Sequence, residues 1–190
     1  MADPWAQAAS ILGGRCTEAD HLSATLDDFL VEVSSAEESF TSAAGSMAAG
    51  TGSYRQVPCT TASVAWDSGP ELKFDVLLRA NRWRGQPVTF STFLPMKLDD
   101  HLWARCPPWR RGAVRRYLRD SSRIQALSRL FDRIGELGPE DKPPASMVEV
   151  RGTHLIVFAP AELTTADEIT ELARAAVALA RALSRSSMPN

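Results

Sequence analysis

"TEADHLSATLDDFLVEV", residues 17–33, is the stretch on which the fold turns. At helical spacing, Leu22, Leu26, Phe29, Leu30 and Val33 form one apolar stripe that opens after Thr17. A helix is therefore expected here, with a short strand over the tail, "DFLVEV", as the alternative.

The flanks read the same way. "DPWAQAASILGG", residues 3–14, has Asp3 as a cap, Pro4 in the first turn, and Gly13 and Gly14 to end a short helix. Downstream, Ser35 and Glu38 have capping-box spacing and start a weaker helix through "AEESFTSAAGSMAA". Residues 41–53 are rich in Gly, Ala and Ser and read as a mobile or disordered segment. Residues 1–53 are thus expected to be a helical N-terminal extension.

Beyond residue 53 the period changes to alternation. "YRQVPCTTASVAWD" reads as a strand that Pro58 pushes toward a sheet edge. In "ELKFDVLLRANRW", Leu72, Phe74, Val76 and Leu78 share one face, against Lys73, Asp75 and Arg79. Arg84-Gly85 supplies a turn, and "QPVTFSTFLPM" returns with Val88, Phe90, Thr92 and Leu94 as a hairpin partner.

After an interruption at Pro107 and Pro108, Asp120 caps a helix lined by Ile124, Leu127, Leu130, Phe131, Ile134 and Leu137, closed by Gly138-Pro139. "MVEV", the Arg151-Gly152 turn and "THLIVFAP" make a second hairpin. Thr165 and Glu168 form a capping box for a final helix with Ile169, Leu172, Ala176, Leu179 and Leu183 on its stripe. The order α-βββ-α-ββ-α implies an α+β domain over residues 54–185: an antiparallel sheet of about five strands with helices packed on it. Residues 186–190 are expected to be a disordered tail.

This succession of elements resembles the class I type III secretion chaperones and related YbjN-like domains. The resemblance spans roughly residues 54–185, with a helix from the N-terminal part as its first element. It implies a cytoplasmic, non-enzymatic protein that binds a segment of a partner protein, often as a homodimer.

The 190-residue chain has a net charge of −2, which excludes a surface built wholly for nucleic acid. Arginine far outnumbers lysine, and alanine is abundant, as in proteins of GC-rich bacterial genomes. No apolar run approaches the roughly 18 residues of a membrane span, and the N-terminus has an acid where a signal peptide carries basic residues. A cytoplasmic location is expected. Cys16, Cys59 and Cys106 are odd in number and widely spaced, which suits free thiols.

Catalytic signatures are sparse. "AAGTGSYR" has the glycines of a phosphate loop without its lysine, and no nucleophile elbow occurs. His21, His101 and His154 are far apart, and "LDDH" at 98–101 reads as a solvated loop. A pair between Cys59 or Cys106 and His101 or His154 is the remaining catalytic option, against two small buried thiols. No cofactor, metal or enzymatic activity is expected.

The chemistry is concentrated in "RCPPWRRGAVRRYLRDSSR", residues 105–123, with seven arginines and one acid. As a helix it places Val114, Tyr117 and Leu118 inward, and Arg111, Arg115 and Arg119 outward at four-residue spacing, with Arg116 and Arg123 beside them. Such a face repels itself unless it is compensated. Three compensations are open: acids of the N-terminal segment (Glu18, Asp20, Asp27, Asp28, Glu37, Glu38), an acidic or helical protein partner, or nucleic acid with Trp109 or Tyr117 stacking on bases. The expected binding residues are Trp109, Arg110, Arg111, Arg115, Arg116, Tyr117, Arg119 and Arg123. The expected role is a protein-binding adaptor or chaperone-like subunit of a bacterial assembly or secretion-type system. The alternative is a nucleic-acid-associated accessory protein.

Overall fold

The structure, a computed structural model, describes residues 3–41, 54–65, 72–78, 86–87, 96–135, 147–159 and 161–184. Residues 17–33 are not a helix. Strands β1 (Arg15–Glu18), β2 (His21–Leu26) and β3 (Phe29–Thr41) form an antiparallel meander. Alternation explains the outcome: Leu22, Ala24, Val31 and Val33 are buried on one face, while Glu32 is exposed on the other. Each large apolar side chain so buried contributes about 1.5–3 kcal/mol, and a one-residue slip would turn Glu32 inward. Leu30, a member of the helical stripe, is left 45% exposed.

The turn between β2 and β3 is Asp27-Asp28, with φ of 51° and 70°. Two left-handed residues in succession match the twist of a two-residue hairpin, and aspartate tolerates that region better than most residues. The weaker helix expected from Ser35 is also a strand, because β3 runs on to Thr41.

β3 pairs along its length with β4 (Tyr54–Ala65), so strands on either side of the boundary expected at residue 53 are adjacent in one sheet. The sheet order is β1-β2-β3-β4-β10-β9-β5-β8-β7, all antiparallel. Its other members are β5 (Lys73–Leu78), β7 (Met96–Lys97), β8 (Leu102–Arg105), β9 (Met147–Arg151) and β10 (His154–Ala159). A two-residue strand, β6 (Gln86–Pro87), pairs with the far end of β3. The class is α+β as expected, but among the described residues nine strands follow one path where about five were expected.

The first strand of the hairpin expected over 71–96, β5, lies between β8 and β9, while Val88, Phe90, Thr92 and Leu94 of its expected partner lie outside the described residues. The β9–β10 hairpin forms as expected, with Gly152 at φ 62° in its turn. Pro58 sits in an interior strand yet keeps an edge position. β10 covers β4 only from Thr60 to Ala65, so the missing N–H interrupts no ladder there. The expected turn at 84–85, the helix stop at 138–139, most of the mobile segment at 41–53 and the tail at 186–190 lie outside the described residues.

Helices cover one face. α1 (Pro4–Ile11) is capped by Asp3, whose Oδ1 accepts from Trp5 N at 3.0 Å, and it packs on β1, β2 and α4 (Ala166–Ser184). In the capping box of α4, Glu168 N donates to Thr165 Oγ1 and Thr165 N donates to Glu168 Oε2. α4 crosses β3, β4 and β10 and packs against α3 (Ser121–Gly135). α2 (Arg111–Tyr117) follows a single 3-10 turn at Pro108–Arg110. The core between the layers is built from Phe74, Leu102, Leu127, Ile134, Leu155, Leu163, Ile169, Leu172 and Leu183, all nearly inaccessible. No helix among the described residues is long and apolar enough to cross a membrane.

Candidate functional site

The arginine-rich segment divides into two populations. Val114 and Leu118 anchor α2 in the core. Arg111, Arg115, Arg116 and Arg119 are exposed, and Arg110 is half-buried. Trp109, in the turn before α2, is 79% exposed. A tryptophan that open to water is unusual in a folded domain, and here it is followed within ten residues by five arginines.

Tyr117 and Arg123 belong to the fold. Tyr117 Oη donates to Leu183 O at 2.6 Å, tying the end of α2 to the end of α4. Its ring lies 6.0 Å from that of Phe74, and burial pushes its hydroxyl up to about 12. Arg123 is buried, donates Nη1 to Tyr117 O at 2.7 Å, and holds its guanidinium 4.0 Å from the Tyr117 ring centre. These two residues therefore have structural contacts that the expectation of a binding role did not foresee. Sequence spacing alone put Arg123 beside the outer face. The interruption between α2 and α3 at Asp120, which caps α3 through its bond to Ser122 N, rotates Arg123 inward.

Among the described residues, no N-terminal acid pairs with the exposed arginines. Asp27 pairs with Arg181 on α4. Among the described residues, Arg111, Arg115, Arg116 and Arg119 take part in no ion pair.

A second charged group was missed by the sequence reading. Asp75 on β5 sits in register between Arg105 on β8 and Glu149 on β9, on the sheet face away from the helices. All three are only 2–3% exposed. Arg105 Nη2 lies 3.6 Å from Asp75 Oδ2, and Arg151 pairs with Glu149. Burial, with the neighbouring Glu149 carboxylate, raises Asp75 to about 7 against the pull of Arg105. The same burial lowers Arg105 from its ordinary range. Ordinary strand alternation hid this row, because Lys73, Asp75 and Arg79 read as a solvent face. The available signal was the acid in "MVEV", flanked on both sides by valine.

The remaining candidates separate. Asp99 Oδ1 accepts from His101 N and Leu102 N, and Lys97 Nζ bonds Asp100 Oδ1, so "LDDH" is a braced turn. His101 and His154 are exposed, while His21 Nδ1 lies 2.8 Å from Thr17 Oγ1. Cys59 is buried against Ala36, Ile156 and Phe158, and its thiol donates to Ala36 O. Cys106 is in the main core, where burial raises its thiol above the usual range. Cys16 is exposed on the edge strand β1. Among the described residues no group of three or more metal-ligating side chains converges.

No protein-family model and no curated protein matches the sequence. The crystal structure of the mycobacterial trehalose monomycolate transport factor A, TtfA, is similar at a TM-score of 0.45 and 10% identity, covering 90% of this chain and 75% of that one. At that level the likeness carries no functional inference.

Proposed function

We propose that the protein is a non-catalytic, chaperone-like adaptor of the bacterial cytoplasm, which binds an acidic segment of a partner protein through α2 and the turn before it. The observation that carries this reading is the exposed Trp109 followed along the chain by the exposed Arg111, Arg115, Arg116 and Arg119, cations that no described acid pairs. Tryptophan and arginine are the residue types that dominate binding energy at protein interfaces. Nucleic acid is the weaker occupant, because the chain is net acidic and, of the two aromatics, Tyr117 is held by Leu183 and Arg123, which leaves Trp109 alone to stack on a base.

The test is affinity capture from native bacterial extract at low salt, with and without nuclease. A protein partner should be recovered in both cases. It should be lost when Arg111, Arg115, Arg116 and Arg119 are all replaced by glutamate, and reduced at least ten-fold by Trp109→Ala. Capture that disappears with nuclease, or that survives the glutamate variant, overturns the reading.

A further inference from the structure

α3 and α4 leave a groove on the outer surface of the helical layer. Its floor is Ala126 and Leu130 from α3 with Ala175, Ala178, Leu179 and Ala182 from α4, around a cavity of about 270 Å³. The α4 residues from 175 to 182 span about 10 Å of helix axis. Small side chains there let a third helix approach to the 8–10 Å typical of packed pairs.

Arginines stand on both rims. Arg129 and Arg133 line the α3 side. Arg174 and Arg181 are exposed on the α4 ridge. Arg133 pairs with Glu171 and Arg181 with Asp27, whereas Arg129 and Arg174 take part in no ion pair among the described residues. The end of the groove at Ala126 and Ala182 lies beside the end of α2, because Tyr117 Oη is bonded to Leu183 O and α3 begins at Ser121. The groove and the arginine face of α2 are therefore neighbours.

We infer that the partner segment is an amphipathic helix with acidic flanks, lying between α3 and α4 with its apolar stripe on the alanines and its end toward the α2 arginines. This rests on the adaptor reading above and gives it a partner class. An apolar floor with arginine rims matches a helix that carries leucine or alanine on one stripe and glutamate or aspartate on either side.

The experiment uses a labelled 18-residue peptide with leucines at i, i+3, i+4 and i+7 and flanking glutamates, titrated with the full chain and followed by fluorescence anisotropy. A matched peptide with lysine for glutamate, an 18-mer of oligodeoxythymidine and phosphatidylserine vesicles are measured alongside. The glutamate peptide should bind at least ten-fold more tightly than the lysine peptide. Arg129→Glu with Arg174→Glu should weaken it about five-fold. Ala178→Trp, which fills the groove at an exposed position, should weaken it at least ten-fold, and Ala178→Glu should do the same by repulsion. Circular dichroism melts check that each variant is folded. Failure of the glutamate peptide to bind, equal binding of the lysine peptide, unchanged binding by both folded Ala178 variants, or tighter binding of the oligonucleotide or vesicles overturns the inference. In the capture assay, loss with the α2 glutamate variant but retention with Ala178→Trp refutes the groove and leaves the adaptor reading standing. Retention in both refutes both.

Discussion

Arginines that look equivalent in the sequence divide by where the backbone turns. Arg123→Ala should destabilise the fold by about 2 kcal/mol, because it removes a charged hydrogen bond to Tyr117 O and a cation–π contact. Arg115→Ala, at an exposed position without an ion pair among the described residues, should stay within about 0.5 kcal/mol. Chemical denaturation of the two variants separates these cases. Asp75 offers a second test. Its folded pKa of about 7 lies above the ordinary 3.8, so the folded state holds the proton more tightly than the unfolded chain. Its contribution is complete below about pH 4 and declines at up to ~1.4 kcal/mol per pH unit until it levels off near pH 7. Asp75→Asn removes that slope, while its effect on Arg105 is a constant offset. The stability difference between wild type and variant should therefore change between pH 4 and 7 and be flat above. A difference independent of pH would show that Asp75 is ionised throughout.

Four elements were legible where a cap or turn residue agreed with the apolar period, although the Ser35–Glu38 spacing shows that a cap signal alone does not make a helix. Asp3, the Thr165–Glu168 box, Asp120 and Gly152 all act where their chemistry placed them. Residues 17–33 misled because Leu22, Leu26, Phe29, Leu30 and Val33 satisfy a helical spacing, while the deciding feature, Asp27-Asp28 in left-handed geometry, is an uncommon hairpin turn. Two glycines give opposite expectations at this scale. A Cβ on Gly14 would stand 2.6 Å from Ala24 Cβ, where the exit of α1 presses on β2, so Gly14→Ala should cost about 1–3 kcal/mol. Gly112 in α2 has open space around its Cβ position, and Gly112→Ala should add about 0.5–1 kcal/mol. Thermal melts should move in opposite directions.

At the scale of the molecule, local periodicity identified strands but could not say which ones meet. β5 was assigned a neighbour next to it in sequence and instead lies between β8 and β9, with the Asp75 row as part of the match. The exposed half of the candidate site was readable from charge density. Its buried half, Tyr117 and Arg123, depended on the packing of α2 against α4. The groove between α3 and α4 was not readable at all, since alanines on a helix do not say which helix lies opposite.

The placement of β4 governs how the chain reaches this state. Its upstream neighbour, β3, is made just before it, but its other neighbour, β10, comes from residues 154–159. During synthesis the open side of β4 therefore waits until residues 154–159 have left the ribosome. Pairings of such long sequence separation are slow to close, and an unsatisfied strand flank is a template for the wrong neighbour in the meantime. The bare proline at position 58 and the polar Thr60, Thr61 and Ser63 along that flank make the waiting strand a poorer template for self-assembly.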